Sequence, residues 1–167
     1  MKVKNSIVFG LIIAASLSRL VPHAPNFTAV GALALFAGSV WGFSLLALTL
    51  PLMTMFLTDL IFGIHPTLAF VYISFVAITA LGAYFLKQRK VSKLALMSLA
   101  TSLLFFTVTN FGVWATTSFY PQNFSGLVEC FIMGLPFLKN QVMGDLMFSA
   151  LLFSSYEVLN RRFVTIK

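Results

Sequence analysis

The chain has 167 residues, 59% of them hydrophobic and 9% charged, with a mean hydropathy of +0.97. A water-soluble domain carries about 25% charged residues, so a water-facing shell is excluded and the composition is that of an integral membrane protein. The net charge of +7 does not point to nucleic acid, because the basic residues sit between apolar runs rather than along one stripe. Cys130 is the only cysteine, which excludes a disulfide framework and a cysteine-based zinc site.

In chain order, apolar runs cover Ser6–Leu20, Phe27–Val40, Phe43–Phe62, Thr67–Leu86, Leu94–Thr116, Leu127–Leu138 and Val142–Leu159. Lys2 and Lys4 precede the first run, but "ASLSRL" is a poor cleavage site, so the run reads as an uncleaved first helix. The first two runs are short for a bilayer. Pro51 removes a backbone donor within the third and predicts a kink. The sixth run contains Glu129 and Pro136; its twelve residues rise about 18 Å against a hydrocarbon core of about 30 Å. The expected architecture is an all-α, polytopic membrane helical bundle over residues 1–167 as one domain. It has six transmembrane helices plus a short extracytoplasmic or re-entrant helix at 127–138.

Six spans place the N-terminus, the loop "KQRKVSK" and the tail "RRFVTIK" on one side. That side then holds nine of the eleven basic residues, with only Arg19 and Lys139 opposite. The positive-inside rule puts both termini in the cytoplasm, and the expected location is a bacterial inner membrane.

This orientation collects the remaining polar groups at the outer end. Arg19 closes the first helix; His23 and Asn26 lie in the proline-stiffened loop after it. Asp59 is near the outer end of the third run, His65 in the next outer loop, Asn110 and Trp114 in the outer part of the fifth run, and Tyr120 in the loop that follows. Asp145 leads into the last helix. Ionisable groups in a bilayer are costly and face a cavity or a partner, so these nine residues are the candidate binding set for an outward-facing pocket. Duller roles stay open: Arg19 pairs structurally with Asp59 or Asp145, Asp145 complements the dipole of its own helix, the two histidines are solvated, and Trp114 and Tyr120 are interfacial anchors. Gly10, Ala14 and Ser18 repeat every four residues, a row that packs inside the bundle or docks a separate subunit.

No P-loop, H-E-x-x-H or G-x-S-x-G occurs. The polar groups stop halfway through the bundle, which suits a capture subunit better than a self-sufficient transporter or channel, an intramembrane enzyme or an assembly protein. No catalytic residues, metal or cofactor are expected.

The segments "RLVPHAPNFTAVGALALFAGSVWG", "LTDLIFGIHPT", "VTNFGVWATTSFYP" and "GLPFLKNQVMGDLMFSALLF" resemble a family of small bacterial membrane proteins of unknown function, over Arg19 to Phe153. More distantly, the layout is similar to the substrate-binding S components of energy-coupling-factor (ECF) vitamin transporters. Leu135 to Phe153 resembles the "LPF-x-x-GD" entry to the last helix of the biotin type. This resemblance implies a vitamin-like solute near the outer surface and a membrane scaffold subunit with ATPases, docked on the first helix where Gly10 and Ala14 stand. The family row is usually alanine. For a cobalamin cargo, the resemblance would make His65, or else His23, the imidazole offered to cobalt.

Overall fold

The apolar runs fold as six α-helices, described in a computed structural model over residues 5–164: α1 (Asn5–Leu17), α2 (Val30–Trp41), α3 (Leu45–Phe62), α4 (Leu68–Phe85), α5 (Val91–Thr116) and α6 (Phe124–Val164). A 3₁₀ turn, Ser18–Leu20, extends α1. Lys2, Lys4 and Lys167 of the charge argument lie outside the described residues. Among the described residues, four helices are long and apolar enough to cross a membrane, namely α3, α4, α5 and α6 over Phe124–Arg161. Their outward faces expose Leu57, Ile61, Ile73, Leu103 and Leu151, the apolar exterior that lipid requires.

The short α2 is not an ordinary span. Its 12 residues rise about 18 Å, and every residue from Val30 to Ser39 is buried. It runs through the middle of the bundle, packed mainly on α4, α3 and α6. Small residues make this possible. A Cβ on Gly38 would overlap the Thr79 carbonyl of α4, and one on Gly82 of α4 would overlap the Leu35 carbonyl. The two backbones therefore touch, the close approach that small residues permit in membranes. Farther along, Phe36 fills the core edge-on against Phe153 (5.2 Å between centroids) and Tyr156 (5.6 Å) of α6.

The six-span layout with a separate short helix needs correction at 127–138. That segment is the first part of α6, which runs 41 residues without a break and carries Pro136 inside it. At 1.5 Å per residue its path is about 60 Å, longer than the roughly 40–45 Å of a bilayer with its interfaces. The polar residues Glu129, Lys139 and Asn140 interrupt the hydropathy but not the backbone ladder, since helix formation does not need apolar side chains. Asn123 starts the helix, its Oδ1 accepting from Gly126 N at 2.9 Å. Pro51 likewise lies inside an uninterrupted α3, which begins at the Ser44 cap.

The connections 18–29, 63–67 and 117–123 lie together at one end of the bundle. At the other end Arg89, in the α4–α5 connection, ties α2 to α6: it donates to the Ser39 carbonyl of α2 at 3.2 Å, pairs with Glu157 of α6 at 3.8 Å and lies over the Tyr156 ring of α6 at 4.7 Å. The row on α1 faces outward. Gly10 and Ala14 are exposed, a Cβ on Gly10 meets nothing within 4 Å, and Ser18 is half-buried.

Candidate functional site

The loop 21–29 sets the rim. Phe27 N donates to the Ala24 carbonyl at 2.9 Å, with Pro25 and Asn26 between them and Asn26 at φ 62°. Pro at the first central position and a left-handed residue at the second make a type II turn, and asparagine tolerates that backbone better than other side-chain-bearing residues. Asn140 of α6 holds the turn by donating to the Pro25 carbonyl at 3.0 Å. Asn26→Gly should leave stability within about 0.5 kcal/mol, whereas Asn26→Val should cost roughly 1–2 kcal/mol because a β-branched residue resists positive φ. Unfolding midpoints in detergent check this.

Beneath the rim is a cavity of ≈ 380 Å³ lined by α3, α4, α5, α6 and the three loops. Arg19, Asn26, His65, Thr109, Asn110 and Tyr120 give it polar edges; Met55, Val71, Phe105, Met133 and Phe137 give it an apolar wall. A smaller chamber of ≈ 70 Å³ adjoins it and shares Arg19, Asn26, Met55 and Phe105 in its lining. Asp145, Gln141, Thr28, Gly31 and Phe75 complete the chamber.

Arg19 reaches this site from the end of α1 because the 3₁₀ turn redirects the chain. Its Nη2 pairs with Asp59 Oδ1 at 3.0 Å, and Nη1 contacts the Met55 sulfur one helical turn earlier. Both side chains are well buried, 15% and 3% exposed. Of the two pairings left open by the sequence, the structure forms the one with Asp59. Asp59 Oδ2 and the Tyr72 hydroxyl of α4 are buried near each other, with no other hydrogen-bond partner.

Asp145 is not in the first turn of its helix but well inside α6. Its carboxyl instead meets the N-terminus of α2. It lies beside the Ala32 backbone N–H and so close to Gly31 that a Cβ there would overlap Oδ1. Ser102 Oγ of α5 is 2.7 Å from Oδ2, and Gln141 Nε2 is 3.5 Å away. The first amides of a helix lack internal partners and carry the positive dipole end. Since Ala29, the cap residue of α2, makes no side-chain cap bond, Asp145 supplies that cap from another helix. Ser98 and Ser149 continue the α5–α6 seam at 3.0 Å.

Of the remaining candidates, Asn110 uses its amide on the Phe106 carbonyl at 2.8 Å, with its Oδ1 against Gly134 of α6. His65 Nδ1 is 2.9 Å from Thr67 Oγ1. His23 is exposed, with Nδ1 2.6 Å from the Val21 carbonyl, and lines neither space. Trp114 also stands outside the lining; its Nε1 donates to the Pro121 carbonyl at 3.0 Å and its own carbonyl accepts from Gln122, bracing loop 117–123. The lining residues Met55 and Gln141 were not among the sequence candidates. Each precedes an acidic residue by four positions, a helical spacing that places it on the same face.

The model of a family of unknown function, DUF6580, matches residues 1–166, and the chain belongs to that family. No curated protein and no solved structure matches it.

Proposed function

We propose that this protein captures a small solute from the extracytoplasmic side of a bacterial inner membrane, in the manner of an S component and without chemistry of its own. The observation that carries the reading is the paired cavity. It is open at one end, and its floor is the N-terminus of α2, beyond which the packed core of Phe36, Phe153 and Tyr156 fills the bundle. Such a space holds a ligand but does not conduct one. A volume of ≈ 380 Å³ lies toward the small end of the roughly 300–1,000 Å³ of ligand pockets. It suits a vitamin-sized or smaller molecule better than a corrinoid, so cobalamin drops in rank. With its termini in the cytoplasm, the outward row of Gly10, Ala14 and Ser18 serves as the docking face for a membrane scaffold with ATPases.

The test is a thermal-shift screen of the detergent-purified protein against vitamins and amino acids. A ligand at about 100 times its Kd should add about 2.7 kcal/mol of stability, and the chain alone in liposomes should not transport the ligand. Flux through the isolated chain, or silence across the whole screen, defeats the reading.

A further inference from the structure

The capture reading leaves the solute class open, and the inner chamber narrows it. Arg19 and Asp145 line the same ≈ 70 Å³ space. They are not paired with each other: Arg19 is bonded to Asp59, and the Asp145 carboxyl is met by Ser102, Gln141 and the Ala32 amide. A cationic and an acidic side chain thus line one small space inside a mainly apolar bundle. A carboxylate alone would be drawn to Arg19 but repelled by Asp145. An amine alone would meet the reverse, leaving the Arg19 donors that Asp59 and Met55 do not use without an acceptor. A group carrying both charges a few ångströms apart satisfies both walls and adds no net charge.

Resting on the capture reading, we propose that the solute is an amino acid or a close analogue, bound with its ammonium toward Asp145 and its carboxylate toward Arg19. Its side chain extends into the adjoining cavity, whose wall of Phe105, Val71, Met133 and Phe137 suits an apolar or aromatic body. Three features serve this head group. Gly31 has no side chain to occupy the chamber floor. Gln141 and Thr28 offer acceptors for the ammonium protons that Asp145 does not take. The Arg19 guanidinium keeps donors beyond those used by Asp59 and Met55.

The wild-type protein in detergent is titrated with the twenty protein amino acids, followed by the decarboxylated amine and the deaminated acid of the best binder. For phenylalanine these are phenethylamine and 3-phenylpropionate. The expected result is a saturable shift with one or more amino acids and at least tenfold weaker binding of both analogues. Asp145→Asn should weaken the amino acid by tenfold or more, bringing it close to its deaminated acid. If a vitamin binds while all amino acids fail, or if one analogue equals its parent, the zwitterion assignment is overturned and the capture reading stands. Silence with every amino acid and every vitamin overturns both. The analogue series needs no variant, so it decides the question even where Asp145→Asn folds poorly.

Discussion

Arg19→Leu should destabilise the folded protein by about 3–5 kcal/mol, the cost of leaving one partner of a buried ion pair uncompensated. The pair spans 3.0 Å, Asp59 is 3% exposed, and its second oxygen has only the Tyr72 hydroxyl near it. Removing the guanidinium therefore leaves a buried carboxylate without a cation. The double variant Arg19→Leu, Asp59→Leu removes both charges and should recover most of the loss, because two apolar groups of similar size replace the pair at little net cost. Denaturant titration in mixed micelles measures both stabilities. Ligand binding separates the two roles of Arg19: the double variant should fold but not bind, since the cavity loses its cation. A double variant as unstable as the single one would show that Arg19 stabilises through its packing rather than its charge.

The contact between α2 and α4 should be as sensitive. Gly38→Ala and Gly82→Ala each drive a methyl into the backbone of the opposite helix, at the Thr79 and Leu35 carbonyls. Backbone cannot rotate away as a side chain can, so each should cost about 1–3 kcal/mol or more, the range for overpacking a tight core. The two sites share one crossing, and their effects should not add, since the first substitution already separates the helices. Gly10→Ala is the control. Its Cβ meets nothing within 4 Å, so it should change stability by no more than about 0.5 kcal/mol or raise it slightly through helix propensity. Equal losses at Gly10 and Gly82 would place the α1 row inside a packed interface.

Much of this arrangement is legible in the sequence. The alternation of apolar runs with charged loops yields the order of the helices; of the nine candidate residues, Arg19, Asn26, His65, Asn110, Tyr120 and Asp145 line the two spaces, while His23, Asp59 and Trp114 do not. The depth of α2 is not legible, because "VGALALFAGS" is equally apolar on every face and reads the same against lipid as against protein. The continuity of α6 is hidden by a hydropathy dip at 139–141, where the backbone nevertheless keeps its ladder. The role of Asp145 is invisible for a different reason. Its partner is the amide end of a helix more than a hundred residues earlier, and backbone groups leave no mark in a sequence. Spacing singled out the glycine of α1, yet the glycines that join helices are Gly38 and Gly82, whose partners are also backbone atoms.

The capping of α2 by Asp145 has a consequence for biosynthesis. When α2 leaves the ribosome, the carboxyl that will cover its leading amides has not been translated, and neither has α4, against which it packs. A nascent chain that ends before residue 145 holds a twelve-residue helix with its amino end bare, in surroundings where bare peptide groups are not tolerated. The leading end of α2 consequently finds this side-chain partner only once α6 has been made.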